Sequence, residues 1–154
     1  VIALLQRVDG AAVEVDSAPV ARIDRGLLVF LGVQQGDAES EAARIVARLL
    51  GYRVFPDASG RMNRSLSDLA GGLLLVPQFT LAADTRRGQR PSFSSAAPPV
   101  IGERLFNAAV QEARRLHETV EAGVFGADMK VSLVNDGPVT FWLEVRPQSP
   151  EVSI

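Results

Sequence analysis

Two stretches of nearly unbroken apolar residues, 27–33 (LLVFLGV) and 73–76 (LLLV), constrain the fold of this chain more than any other feature. Neither shows the strict alternation of a strand with one wet face, so each reads as a strand buried on both faces. The surrounding segments supply the partners. Residues 1–8 alternate, with Ile2, Leu4, Gln6 and Val8 on one face and Ala3, Leu5 and Arg7 on the other, as a strand requires. Arg7 thereby shares a face with apolar neighbours. Val13 and Val15 suggest a second strand after the Asp9-Gly10 turn signal. Asp37 is placed to cap a helix in which Ala42, Ile45, Val46, Leu49 and Leu50 form one apolar stripe, closed by Gly51.

Residues 52–55 are short and strand-like, 56–63 carry turn residues, and 82–99 form a polar loop. A second helix is predicted over residues 100–120, with Ile101, Leu105, Ala109, Ala113, Leu116 and Val120 as its stripe and Gly123 closing it. Two alternating strands finish the chain, Met129/Val131/Leu133 and Val139/Phe141/Leu143/Val145, separated by the turn signal Asn135-Asp136-Gly137-Pro138. With no repeat and no linker, this order predicts one α+β (mixed α/β) domain over residues 1–146. Sheet- or barrel-like strands pack with two main helices, and residues 147–154 form a frayed tail.

Composition narrows the chemistry. At 154 residues and 47% hydrophobic content the chain suits one substantial core. Cysteine is absent and His117 is the single histidine, which removes thiolate nucleophiles and leaves no histidine cage for a transition metal. No metal and no organic cofactor are expected. A formal net charge of −2 argues against broad, salt-sensitive nucleic-acid binding, so any RNA contact should be local. No apolar run reaches the ~20 residues of a membrane span, and VIALLQRV lacks the features of a signal peptide. A cytoplasmic protein without a membrane partner is expected.

Three segments are far more specific than this outline: PQFTL (77–81) running into ADTRRGQRPSF, Phe125-Gly126-Ala127-Asp128-Met129, and Asn135-Asp136-Gly137-Pro138-Val139-Thr140. With Gln6-Arg7-Val8, GLLVFLGV and GYRVF in the same order, they resemble the D-aminoacyl-tRNA deacylase family over residues 1–146. The resemblance implies a homodimer that hydrolyses the ester of D-aminoacyl-tRNA at its 3′ acceptor end. The Gly137-Pro138 loop, with a cis-proline, would enter the partner's active site, and Arg7 would hold it. Gln78, Phe79 and Thr80 would lie beside the scissile ester, with Phe125, Gly126 and Met129 as further wall. Glycine mischarged onto alanine tRNA is an expected second substrate.

The filter has its own physical logic. A D-amino acid and its mirror image carry identical groups, so they are told apart only by fixed contacts at several points around Cα. Rigid backbone carbonyls that accept from the α-amino group and collide with an L side chain satisfy that need. Thr80 lacks an adjacent base, so oxyanion stabilisation by amides near Phe79 and Thr80, with help from the tRNA's own 2′-hydroxyl, is favoured over a covalent route. Blander readings stand beside these: Thr80 as a turn residue, Phe79, Phe125 and Met129 as core, and Asp136-Gly137-Pro138 as a hairpin turn. Arg86, Arg87 and Arg90 are either a solvated loop or phosphate contacts, and His117 is read as structural. A non-catalytic module binding the tRNA end is the alternative function. Pro77 replaces the family's usual serine, and Gly102 stands where relatives often carry alanine, which predicts a looser wall.

Overall fold

In the computed structural model, which describes residues 1–149, the chain opens with β1 (Ile2–Val15), β2 (Ala18–Ile23), β3 (Gly26–Gly32) and α1 (Glu39–Gly51). It continues through β4 (Phe55–Pro56), β5 (Met62–Arg64), α2 (Leu66–Leu69), β6 (Gly72–Pro77) and a 3₁₀ turn (Phe79–Ala82). It closes with α3 (Pro99–Leu116), β7 (Val120–Ala122) and β8 (Met129–Glu144). The predicted tail lies mostly outside the described residues.

Strand β1 organises the sheet. Along one edge it pairs antiparallel with β8 from end to end, from Ile2↔Glu144 to Val15↔Met129. Along the other it pairs first with β3 and then, from Ala11, with β2. Beyond β3 the sheet turns parallel, through β6 to β7, because α1 and α3 carry the chain back across one face as such crossovers must. The 27–33 and 73–76 stretches are the β3 and β6 strands, and both of their faces are covered. Leu27, Val29, Leu31, Leu73 and Leu75 pack under α1 and α3. Leu28, Leu74 and Val76 turn the other way, into a second core with Val8, Val13 and Ile23. Each such side chain contributes ~1.5–3 kcal/mol by leaving water. The domain is α+β, as expected.

Several local readings need correction. Asp9-Gly10 is no turn: β1 runs through it, with irregular register to β8 on both sides of Val8. Nor does Asn135-Asp136-Gly137-Pro138 close a hairpin. Both flanking segments pair with β1, so they are one strand, and residues 136–139 bulge out between the Gln6↔Thr140 and Val8↔Asn135 pairs. Strand β2 and helix α2 were not foreseen.

At the helices, Ala38 rather than Asp37 occupies the α1 cap, and Glu41 reaches back to accept its amide at 2.7 Å. Asp37 instead accepts the Gln34 amide at 2.7 Å. Helix α3 stops at Leu116, with His117 as its cap. Val120 belongs to β7, because the open edge of β6 takes it: Leu73 donates to Thr119 O and pairs with Val120.

Candidate active site

The site forms where β6 ends. Gln78 donates its amide to Leu31 O at 2.7 Å, prolonging the β3–β6 pairing by one bond before the chain winds into the 3₁₀ turn. That turn begins with the N–H groups of Phe79 and Thr80, which have no earlier carbonyl within the turn to bond. Beside Phe79 opens a cavity of about 750 Å³. Gln78 and Phe79 form one side of it, Phe125, Gly126 and Met129 another, and Gly102 and Phe106 of α3 a third. Two of the three specific sequence segments, 77–81 and 125–129, therefore meet at one place, with α3 as the third wall.

Local geometry explains the wall. Gly126 has φ +78°, in the left-handed region that favours glycine, within a turn closed by the bond from Ala127 N to Val124 O. Met129 sulfur accepts from the Val124 amide at 3.4 Å. Met129 also packs against the second core, so it is at once core and wall. The looser wall predicted at Gly102 is not open space. The Phe125 ring comes within 3.4 Å of where a β-carbon would stand. Pro77 presents a ring and no donor to the cavity.

Thr80 does not line this cavity; it borders a shallower depression with Asp84 and Arg86. Its hydroxyl accepts a hydrogen bond from the Gln78 side-chain amide. No base is at hand. His117 contacts Gly71 O at 2.6 Å, at the opposite end of β6, roughly 20 Å away at ~3.3 Å per strand residue. No cluster of three or more His, Cys, Asp or Glu side chains suited to a metal occurs among the described residues.

The β8 bulge forms a second constellation. Its Gly137-Pro138 peptide is cis, and Gly137 has φ +144°. A β-carbon there would fall 2.7 Å from Val139 Cγ2 and 2.9 Å from Val139 N, so only glycine fits without displacement. Arg7 lies beneath the bulge, donating Nε to Asp136 O at 3.0 Å and Nη1 to Val54 O at 2.7 Å, with the Asp136 carboxylate 3.5 Å away. Asn135, not foreseen as a site residue, closes the bulge. It accepts from Val139 N at 2.7 Å and donates to Val139 O and Thr140 Oγ1. None of Arg7, Gly137 or Pro138 lines the cavity of its own chain.

The three loop arginines differ. Arg86 grips Asp84 with a two-pronged fork at 2.8 and 2.9 Å. Those bonds from the Arg86 side chain, followed by its amide, hold the Asp84 carboxyl down at about 2. Arg87 and Arg90 are exposed and have no ion-pair partner among the described residues.

Comparison with known proteins bears on this geometry. The family profile described as D-Tyr-tRNA(Tyr) deacylase matches residues 4–144. A protein of Janthinobacterium sp. (strain Marseille) named D-aminoacyl-tRNA deacylase is 62% identical over 146 residues, covering 95% of this chain and 98% of that one. One of the same name from Pseudomonas paraeruginosa (strain DSM 24068 / PA7) is 63% identical over 142 residues, covering 92% and 98%. Among solved structures, that of c-Myc DNA Unwinding Element Binding Protein superposes with a TM-score of 0.91 at 35% identity, covering 96% of this chain and all of that one. A probable eukaryotic D-amino acid tRNA deacylase shares the fold at a TM-score of 0.79 and 18% identity, covering 94% and 98%. A profile match over residues 4–144 and relatives 62% and 63% identical across nearly the whole chain show that it belongs to the D-Tyr-tRNA(Tyr) deacylase family.

Proposed function

We propose that this chain hydrolyses the ester joining a D-amino acid to the 3′ end of tRNA. The observation that carries the reading is the meeting of Gln78-Phe79 with Phe125, Gly126 and Met129 around one cavity at the end of β6. Its volume lies in the range that encloses a small organic ligand. In this reading the amide of Phe79, which lines the cavity, donates to the oxyanion of the tetrahedral intermediate, where one well-placed donor is worth ~2.7–4 kcal/mol. Gln78 fixes Thr80, and Thr80 positions rather than attacks. The chain supplies no imidazole there, so the vicinal 2′-hydroxyl of the substrate assists water.

Chirality requires the second constellation. Because the Gly137-Pro138 bulge lies off its own chain's cavity, a second copy must deliver it, which makes the working unit a homodimer. Carbonyls of the bulge accept from the α-amino group and leave no room for an L side chain, while Arg7 keeps the bulge in register. Glycine passes this filter, so glycine carried by alanine tRNA is a second substrate. Arg87 and Arg90, with Arg86 beside them, face the phosphates of the acceptor end.

Release of D-tyrosine, D-aspartate, glycine and L-tyrosine from the corresponding charged tRNAs tests the reading against a no-protein control. D-tyrosyl-, D-aspartyl- and glycyl-tRNA should be cleaved and L-tyrosyl-tRNA spared. Binding of D-tyrosyl-tRNA without release would leave only a module that holds the acceptor end, and rapid L-tyrosyl release would sink the filter.

A further inference from the structure

The segment between the 3₁₀ turn and α3 is an arch with a fixed base and an exposed tip. Asp84 and Ser92 exchange both backbone hydrogen bonds, at 2.7 and 2.9 Å, which closes off the tip. Below that closure the Ser95 hydroxyl donates to Ala82 O at 2.6 Å, and the Gln35 amide donates to Ser95 O at 3.0 Å. Gln35 Nε2 donates to Ser94 O at 2.7 Å, and Ala97 N to Val33 O at 3.0 Å. The base is thus tied to the chain leaving β3.

Phe93 stands in this fixed base. Its ring meets that of Phe79 at 5.2 Å between centroids, tilted by 54°. Both line the cavity, yet Phe93 remains 45% and Phe79 57% exposed. Two large rings are held in water at a cavity rim by an anchored backbone, which is what a surface awaiting a ligand looks like. The tip, residues 85–91, adds Arg86, Arg87 and Arg90, and the segment's own carboxylate, Asp84, is already occupied by Arg86. An aromatic face beside two uncompensated cations matches the chemistry of single-stranded nucleic acid, whose bases stack while its phosphates pair.

We infer that this arch docks the unpaired strand leading to the ester, with the base next to the terminal one stacking on Phe93 and the adjoining phosphates pairing with Arg87 and Arg90. The inference rests on the reading of the cavity as the ester site. A cavity of about 750 Å³ takes an aminoacyl group together with its own nucleoside. The rim aromatics then meet the following nucleotide. Arg86 acts indirectly, bracing Asp84 at the closure of the arch.

Steady-state hydrolysis of three substrates tests this: D-tyrosyl-adenosine, a D-tyrosylated trinucleotide with the tRNA 3′ sequence, and D-tyrosyl-tRNA. Phe93→Leu keeps apolar bulk and loses the π face. It should raise KM for the trinucleotide and the tRNA about tenfold, within the span of single base–aromatic stacks, with kcat within about twofold. The rise for D-tyrosyl-adenosine should be smaller, because Phe93 reaches that substrate only at the cavity rim, and an unchanged urea midpoint reports that the variant is folded. Phe93→Tyr should restore KM, and a trinucleotide abasic at its middle position should be indifferent to Phe93→Leu. Arg87→Ala with Arg90→Ala should flatten the salt dependence of KM for tRNA, whereas Arg22→Ala, on distant β2, should not. Unchanged KM for the longer substrates, an equal rise for D-tyrosyl-adenosine, or a change confined to oligomeric mass would overturn the inference. Failure of the wild type to cleave any of the three would instead overturn the reading of the cavity.

Discussion

Thr80 shows how little side-chain chemistry this site contains. Its hydroxyl accepts from Gln78, and among the described residues no imidazole or carboxylate hydrogen-bonds to it. Thr80→Ala should therefore slow kcat about 10- to 100-fold, the scale of losing one positioned group, without abolishing turnover. Trapping of an acyl group on Thr80, detected by mass spectrometry, would contradict this. Arg7 offers a sharper case. Arg7→Ala would leave the Asp136 and Val54 carbonyls without their charged donor, at a cost of about 1.5–3 kcal/mol for each such bond. Urea denaturation should report the loss, and the ratio of D- to L-tyrosyl-tRNA hydrolysis should fall with it. Asp84 predicts a pH dependence. Its folded pKa of about 2 lies below the ordinary 3.8, so its contribution to stability is fully present above about pH 4 and disappears as pH falls through 2. The stability difference between wild type and Asp84→Asn should vanish over that window and shrink in high salt, because the pair is exposed.

At the scale of elements, the start of the parallel β3–β6 ladder is set by a pair of glycines. A β-carbon on Gly26 would lie 1.9 Å from Gly72 O, so Gly26→Ala must force the two strands apart. A loss of about 1–3 kcal/mol or more is expected, read as a lower urea midpoint with an unchanged slope. These two strands were legible in the sequence because burial on both faces leaves an unmistakable apolar pattern. β1 and β8 were less so: Asp9-Gly10 and Asn135-Asp136-Gly137-Pro138 carry the same local signals whether the chain reverses or merely bulges. Only the pairing of both β8 halves with β1 decides between the two. Helix α3 was overdrawn for a related reason, since Leu116 and Val120 continue its 3.6-residue period while the edge of β6 claims Val120. The cavity segments were legible through their motifs. Phe93 and Asn135 stood inside the motifs without an assigned role, one lost in a polar loop and the other read as turn punctuation.

Across the whole molecule, the separation of cavity and bulge within one chain predicts a species of twice 16.5 kDa by light scattering. It also predicts complementation. A chain with its bulge spoiled by Gly137→Val and one with its cavity filled by Gly102→Phe should each be inactive alone. Their mixed dimer should regain one working site, and no recovery on co-refolding would argue that each cavity is served by its own chain. The pairing of β1 with β8 carries a further consequence, for the order in which the chain acquires its structure. Ile2 finds its partner in Glu144, so one edge of the central strand stays open until nearly all of the polypeptide has been made. Closing so long a span delays folding and leaves bare strand edges exposed to other nascent chains. A polypeptide ending before Met129 is accordingly expected to appear in the insoluble fraction, not as a smaller stable domain.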